Sequence, residues 1–463
     1  MEVRLDHRKL TGTVKVIQSK SFAHRILLAA ALSKITSGLE TEVKLETVSE
    51  DMEATRRVIA AMERGEDVLD CGESGTTLRF VVPVCGALRG RRQAAEEAGR
   101  AGCGKEEAGP AGEIRFTGRG RLMQRPMGPL LEAMAPHGVS ASCEDGQLVL
   151  TGGLTAGEYS IAANVSSQYI SGLLFALPLL EGDSVLNLLG RVESRPYIDI
   201  TLDVLRQFGI RIEEDVPGGA GAPDASESSA SGKNAPVTCR FRIPGGQVYR
   251  GPASMEVEGD WSNAAFWLAA GAAGGGPVTV TGLNLRSVQG DMAICRVLRQ
   301  FGAEVTEDEA AGSVTCSCPE GLQLHGTEID VADIPDAVPV LSVVAAAAAG
   351  DTRICNAGRL RIKESDRLQT VTAMLQALGC PVEEGKDFLL IHGQGCGGRD
   401  REGHLTGGTV DGSGDHRIVM SAAVASALCS GPVVITGAEA VNKSYPGFFE
   451  EREKLWEAHM ENG

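Results

Sequence analysis

The sequence predicts an α/β protein of two domains, each made of three copies of one helix-and-strand unit. Three observations predict it. Six short polar clusters each run straight into an alanine-rich apolar stretch that ends at Gly or polar residues. Behind the apolar stretches comes a second block of strand-like alternation, polar turn and amphipathic helix, closed by Gly. The 463 residues are enough for two substantial cores rather than one.

The six clusters begin at Ser19-Lys20-Ser21, Ser74-Gly75-Thr76, Ser166-Ser167-Gln168, Asp260-Trp261-Ser262-Asn263, Asp333-Ile334-Pro335-Asp336 and Gly414-Asp415-His416-Arg417. Each has the composition of a helix N-terminus, where free backbone N–H groups and the helix dipole favour anions. Six such ends are expected to build a strongly anion-binding cleft. The second block is clearest at Gly182–Glu214, Gly276–Thr306 and Gly350–Glu383, where the amphipathic helices stop at Phe208-Gly209, Phe301-Gly302 and Leu378-Gly379. Weaker copies start at Gly38, Gly120 and Gly431.

Three stretches break the pattern: 89–112 is rich in Arg, Glu, Ala and Gly, 217–236 in Gly, Ser and Ala, and 393–408 in Gly and polar residues. None can bury a core, so all three are expected to be flexible surface insertions. Crossings between domains are expected at Ile17–Lys20 and Tyr249–Ala253, just before the first and fourth clusters.

Composition narrows the function. A net charge of −17 argues against non-specific nucleic-acid binding and requires any anionic ligand to have a local basic site. The apolar runs Ile26–Leu32 and Val338–Ala349 are too short to span a bilayer, and the charged first residues lack a signal-peptide core. Twelve cysteines show no zinc spacing, which favours reduced thiols in a cytoplasmic protein. No nucleic-acid or membrane partner is expected, and the chain is expected to be monomeric.

The polar clusters hold most residues with catalytic potential. Lys20, Ser21, His24 and Arg25 open the first helix, and Arg25 shares the Lys/Ser face one turn on. Ser19-Lys20-Ser21 lacks the spacing and companions of a Ser-x-x-Lys nucleophile. In Lys363-Glu364-Ser365-Asp366-Arg367 a carboxylate sits among cations, suited to proton transfer, while Ser365 or Asp366 also suits a helix cap. Asp336 and Asp415 serve equally as caps. Gly75-Thr76 permits the close backbone approach that a phosphate needs. Arg125-Pro126 and Lys443-Ser444-Tyr445-Pro446 are further cation-bearing turns.

Taken together, Ser19–Arg25, Ser74–Arg79, Arg125-Pro126, Ser166–Gln168, Arg195–Asp199, Val257–Asp260, Ile334–Asp336, Lys363–Arg367, Asp415–Arg417 and Lys443–Pro446 resemble the 3-phosphoshikimate 1-carboxyvinyltransferases, or EPSP synthases, in family order over nearly the whole chain. The resemblance implies a two-domain inside-out α/β barrel, three βαβαββ units per domain, with a cleft between them. The N-terminal strand then joins the second half, giving one domain of 1–18 plus 251–463 and another of 19–250.

It also implies transfer of the enolpyruvyl group of phosphoenolpyruvate to the 5-hydroxyl of shikimate 3-phosphate, with release of phosphate and with no metal or organic cofactor. By position, Asp336 is the implied base at the 5-hydroxyl, Glu364 the implied acid at the methylene carbon, and Lys20 the bridge between substrates. Gly75, Thr76, Arg79, Arg125, Gln168, Arg367, Arg417 and Lys443 match the phosphoenolpyruvate site. Ser21, Arg25, Ser166, Ser167, Gln168, Ser194, Tyr197, Asp336 and Lys363 match the shikimate 3-phosphate site, with Lys20 facing both substrates.

Three residues depart from the common pattern: Glu73 and Arg359 stand where Asn is frequent, and Phe80 where Pro is frequent. Gly75 leaves room for the inhibitor glyphosate. The alternatives are a UDP-N-acetylglucosamine enolpyruvyl transferase, whose reactive-Cys motif is missing around Cys103, and a non-catalytic phosphosugar- or anion-binding protein. An RNA 3′-phosphate cyclase would need nucleotide chemistry for which the chain has no motif.

Overall fold

The computed structural model describes residues 1–97, 113–215, 235–274, 276–319, 322–395 and 405–461. The chain divides into two compact units. A terminal unit joins Met1–Ser19 to Glu258–Gly463, and a central unit is the continuous stretch Lys20–Val257. Strands β1 (Glu2–Leu5) and β2 (Gly12–Lys15) come first and belong to the terminal unit.

The central unit runs α1 (Lys20–Ser37), β3 (Glu42–Lys44), α2 (Glu50–Glu63), β4 (Val68–Asp70), α3 (Gly75–Glu97), β5 (Ile114–Thr117), α4 (Gly128–Met134), β6 (Val139–Glu144), β7 (Gln147–Gly152), β8 (Glu158–Ala162), α5 (Ser167–Ala176), β9 (Ser184–Leu189), α6 (Arg195–Gln207), β10 (Glu213–Asp215), β11 (Val237–Ile243) and β12 (Ser254–Glu256). Its strands form sheets β4-β5-β7-β6, β8-β9-β11-β10 and β12-β3. In both four-stranded sheets the first two strands are parallel, joined over α3 or α5, and the others are antiparallel. A parallel pair needs such a crossover, whereas the last two strands can follow as a simple return. The result is βαβαββ twice over. The third copy is closed by parallel pairing of β12 with β3, and the chain therefore leaves this unit only after β12, later than Tyr249–Ala253.

The terminal unit continues with α7 (Trp261–Ala273), β13 (Val278–Thr281), α8 (Ile294–Gln300), β14 (Glu304–Asp308), β15 (Ser313–Ser317), β16 (Glu328–Asp330), α9 (Val338–Ala347), β17 (Ala349–Cys355), α10 (Arg367–Ala377), β18 (Val382–Glu384), β19 (Leu389–Gln394), β20 (Gly408–Asp411), α11 (His416–Ala425), β21 (Val433–Thr436) and α12 (Phe448–Glu461). Its sheets are β14-β15-β13-β2, β16-β17-β19-β18 and β1-β21-β20. The strand order repeats that of the central unit, with β2 parallel to β13 and β1 antiparallel to β21.

The alanine-rich helices make the cores. All ten residues of α9 and of α11 are buried, as are twelve of the thirteen in α7, and these three helices pack on one another. Small side chains let helix axes approach closely, which explains the composition. The amphipathic helices α6, α8 and α10 share one stop. Gly209, Gly302 and Gly379 adopt φ of +78°, +96° and +86°, and the next residue's N–H donates back to Leu205, Leu298 or Leu375. That left-handed Schellman ending is inexpensive only for glycine.

Of the expected insertions, 98–112, 217–234 and 396–404 lie outside the described residues. Residues 89–97 continue α3, as their Ala, Arg, Gln and Glu content favours, while residues 393–394 end β19 and 408 opens β20.

Candidate active site

All six polar clusters open helices. In the central unit Lys20, Gly75 and Ser167 are the first residues of α1, α3 and α5. Ser166 caps α5 by accepting the Gln168 N–H at 3.3 Å. Two features bring α3 and α5 together. Pro83 has no N–H to give the Arg79 carbonyl one turn back, and a Cβ on Gly172 would meet that carbonyl oxygen at 2.3 Å. The close crossing aligns Arg79 with Gln168 one turn earlier on α5. Arg79 Nη1 donates to Gln168 Oε1 at 2.6 Å, and Gln168 Nε2 donates to Thr76 Oγ1 at 2.8 Å. Tyr169 OH and Arg79 Nη2 both donate to the Pro126 carbonyl.

Arg125 lies at the end of the 3₁₀ turn Leu122–Gln124. Its guanidinium rests on Gly75, where a Cβ would come within 2.5 Å of Nη1 and 2.9 Å of Cζ. Its Nε is a buried donor with no hydrogen-bond partner among the described residues. Gly75, Thr76, Arg79, Arg125 and Gln168 thus form one cationic corner built on two helix N-termini.

Lys20 Nζ pairs with Asp51 Oδ2 at 2.9 Å, both side chains 15% exposed. Asp51 was not singled out from the sequence, because an acid in the first turn of a helix is sufficiently explained by the helix dipole. It also borders a cavity of about 450 Å³ whose lining includes Arg57, Gly72, Glu73 and Arg119. Glu73, the departure at the Asn position, therefore faces this cavity.

Arg25 is buried and fully engaged within the central unit. It donates to the Ser21 and Tyr197 carbonyls at 2.8 and 2.9 Å, to Thr201 Oγ1 at 2.7 Å and to Ser171 Oγ at 3.3 Å, and it lies 5.0 Å from the Phe80 ring centroid. Phe80, another departure, is thus part of a cation–π joint. Ser194 precedes α6 with φ +52° and ψ +43° and is buried.

In the terminal unit, Asp336 lies in the 3₁₀ turn Pro335–Ala337 that leads into α9. Its Oδ1 accepts from Lys363 Nζ at 3.1 Å and Arg367 Nη1 at 2.7 Å, and its Oδ2 is 3.7 Å from Arg417 Nη2. Arg367, 1% exposed, also donates to Glu364 Oε2 at 2.7 Å and to Asp415 at 2.8 and 3.2 Å. One guanidinium therefore holds three carboxylates, using the planar fork that lysine lacks. Asp366 caps α10 and Asp415 caps α11, and Asp415 also takes the Ser365 hydroxyl at 3.0 Å. Capping and charge pairing coincide in Asp415.

The electrostatics follow from this crowding. Burial pushes the Asp336 carboxyl up, but Lys363, Arg367 and Arg417 together outweigh it and hold the pKa well below the usual carboxylate range. Burial lowers the Lys363 ammonium beyond what Asp336 restores. For Arg367 the three carboxylates overcome burial and raise the pKa. Arg417 Nη1 donates to the Ser262 carbonyl at 3.0 Å, while its buried Nε meets no hydrogen-bond partner among the described residues.

Lys443 ends a 3₁₀ turn and donates to the Gly414 carbonyl at 3.0 Å. Tyr445 anchors that turn by accepting from Trp267 Nε1 at 3.2 Å under Phe448. Asp291 was also missed: it is buried, accepts the Ser262 hydroxyl, and is pushed up to about 6 by burial and by Asp336. A polar turn Gln289-Gly290-Asp291 carries no sequence signal beyond a helix start. Among the described residues no group of three or more His, Cys, Asp or Glu could hold a metal ion, and no helix is long and apolar enough to cross a membrane.

Comparison with known proteins identifies the family. The profile of the family described as EPSP synthase (3-phosphoshikimate 1-carboxyvinyltransferase) matches residues 6–220 and 229–451. A 3-phosphoshikimate 1-carboxyvinyltransferase of Clostridium kluyveri is 37% identical, covering 98% of this chain and 97% of the relative. One from Halorubrum lacusprofundi is 36% identical, covering 97% and 96%. Among solved structures, an EPSP synthase from Acinetobacter baumannii shares the fold with a TM-score of 0.71 at 23% identity, covering 98% of both chains.

Proposed function

The chain belongs to the EPSP synthase family, and from that premise we infer that it joins phosphoenolpyruvate to shikimate 3-phosphate as a transferase of the shikimate pathway. The oxygen of the 5-hydroxyl attacks C2 of phosphoenolpyruvate while C3 gains a proton, giving a tetrahedral intermediate. C3 then loses a proton as the C2–phosphate bond breaks, yielding the enolpyruvyl ether and inorganic phosphate.

One observation carries the assignment of roles: Asp336, kept ionised by Lys363, Arg367 and Arg417, stands in one charge cluster with Glu364. An ionised carboxylate can accept the hydroxyl proton, and a second carboxyl nearby can serve the methylene carbon. In this reading Asp336 is the base and Glu364 the acid. Glu364 serves as the acid once it carries a proton in the substrate complex. Lys20 bridges the substrates and stabilises developing charge.

The donors Arg125 Nε and Arg417 Nε, unpartnered among the described residues, support anion binding, since buried donors of this kind are costly to leave unmatched. Phosphoenolpyruvate is assigned to Gly75, Thr76, Arg79, Arg125, Gln168, Arg367, Arg417 and Lys443. Shikimate 3-phosphate is assigned to Ser21, Arg25, Ser166, Ser167, Gln168, Ser194, Tyr197 and Lys363. Arg25 would contribute through the backbone and hydroxyls it fixes as well as by charge. We further propose that the protein works in the cytoplasm as a monomer, without metal or organic cofactor.

The test is phosphate release from phosphoenolpyruvate with shikimate 3-phosphate or UDP-N-acetylglucosamine as acceptor. Release with the shikimate ester alone, with its enolpyruvyl ether as product, is the expected outcome. Release with the UDP-sugar alone refutes the acceptor assignment, and binding without release for either acceptor refutes catalysis.

A further inference from the structure

Between α1, α2 and α3 runs a buried file of polar side chains that the substrate assignments leave unused. His24 lies one turn beyond Lys20 on α1, and Thr55 one turn beyond Asp51 on α2. The Lys20–Asp51 pair and the His24 Nδ1–Thr55 Oγ1 hydrogen bond, at 2.9 and 2.7 Å, are successive rungs between the same two helices. Thr55 Oγ1 then meets Thr77 Oγ1 at 2.6 Å, and Thr77 Oγ1 donates to Ser74 Oγ at 2.7 Å. Ser74 Oγ also accepts the Thr77 N–H at 3.2 Å. Ser74 and Thr77 bracket Gly75 and Thr76.

The proton direction follows from counting and distance. Thr77 spends its single hydroxyl proton on Ser74, so at 2.6 Å it accepts from Thr55. The Asp51 carbonyl, 3.4 Å from Thr55 Oγ1, is the weaker claimant for that proton, and Thr55 in turn accepts from His24. His24 is therefore the Nδ1–H tautomer. Its Nε2 meets no hydrogen-bond partner among the described residues. A bare lone pair is tolerable there, whereas a proton on Nε2 would be a buried, unmatched charge. Consistent with this, burial, opposed by Asp51 and aided by Lys20 and Arg25, pulls the imidazole pKa down to about 3.

We propose that His24, Thr55 and Thr77 are positioning residues for phosphoenolpyruvate: their one-way hydrogen-bond relay fixes Lys20 on α1 against the Gly75–Thr76 turn of α3. The proposal rests on the enolpyruvyl-transfer reading. None of the three is among the residues assigned to phosphoenolpyruvate. They act through Lys20 and through the backbone of the turn, where displacements of an ångström change rates strongly.

The test is Thr55→Val, which keeps the shape and removes the hydroxyl, with Thr55→Ser as the rescue. Thr55→Val is expected to raise KM for phosphoenolpyruvate about tenfold, with KM for shikimate 3-phosphate changed less than about twofold, and Thr55→Ser to restore both. An equal rise for both substrates, or no rise, in a variant shown folded by circular dichroism overturns the proposal. An independent readout is the nitrogen-15 spectrum of histidine-labelled protein. Wild-type His24 should appear as the neutral Nδ1–H tautomer down to about pH 5, and Thr55→Val should lose that tautomer. A wild-type Nε2–H tautomer or an imidazolium overturns the relay. Lack of wild-type turnover with shikimate 3-phosphate instead overturns the reading of function, and the relay is then decided by the tautomer.

Discussion

Replacing Asp291 by Asn should make the terminal unit more stable at neutral pH and leave it unchanged in acid. Asp291 is 3% exposed, and its pKa is raised from 3.8 to about 6, by burial first and then by Asp336, against the Ser262 hydroxyl and Arg417, with a small contribution from Asp260. An acid whose folded pKa exceeds its unfolded one binds its proton better when folded. Stability is therefore greatest below the unfolded pKa and falls as pH rises toward 6. Raised from 3.8 to about 6, the carboxyl opposes folding by about 3 kcal/mol at pH 7.5. Asn resembles the protonated acid in size and still accepts the Ser262 hydroxyl. Asp291→Asn is thus expected to gain up to about 3 kcal/mol at pH 7.5 and close to nothing at pH 4.

Urea unfolding followed by tryptophan fluorescence is the assay. All three tryptophans, Trp261, Trp267 and Trp456, belong to the terminal unit, so the signal reports that unit. A gain independent of pH, or a loss at pH 7.5, would refute the reasoning, because ionisation of Asp291 would then not be what costs stability.

Gly75→Ala places a Cβ where the Arg125 guanidinium now lies. It should raise KM for phosphoenolpyruvate on the order of tenfold with little loss of melting temperature, and weaken competition by glyphosate; unchanged kinetics would show that Arg125 leaves Gly75 in the substrate complex. Arg367→Gln strands three carboxylates, and should cost the terminal unit about 3–5 kcal/mol in urea unfolding; a loss below about 1 kcal/mol would show that the guanidinium is not their joint. Glu364→Gln should lower kcat by about 10²–10⁴, and full activity with an unaltered pH profile would remove its role as acid.

The starts of the buried helices were legible because a polar cluster abutting a wholly apolar, alanine-rich run has few other readings. Lys20, Gly75, Ser167 and His416 open helices within the clusters where the sequence put them. The glycine stops after Phe208, Phe301 and Leu378 were equally plain, since a left-handed residue at a helix end selects glycine. What stayed hidden depends on distance along the chain. Asp51 gains its meaning from Lys20, 31 residues away, and Asp291 from Ser262, 29 residues away; locally each is an acid at a helix start. Helical spacing put Arg25 on the face of Lys20, yet Thr201 and Tyr197, more than 170 residues on, bury it. The parallel pairing of β12 with β3, which sets where the chain leaves the central unit, likewise joins residues about 210 apart.

The split of the terminal unit has a consequence for synthesis. On the ribosome β1 and β2 emerge first, but Val14 pairs opposite Val280 and Val3 opposite Ile435. Domains generally fold as they emerge, N-terminal parts first. The continuous central unit can therefore complete itself while the first nineteen residues still wait for partners not yet translated. During that interval two short strands carry unsatisfied edges, and their brevity, at four residues each, together with Lys and Arg nearby, limits their capacity to recruit another chain. Closing so long a loop is slow relative to local folding, so docking of β1 and β2 should be a late event in assembling the terminal unit. Until it happens the sheets holding β13 and β21 each lack a strand, Asp415 and Arg417 open a helix of an unfinished unit, and the nascent protein should gain its chemistry last.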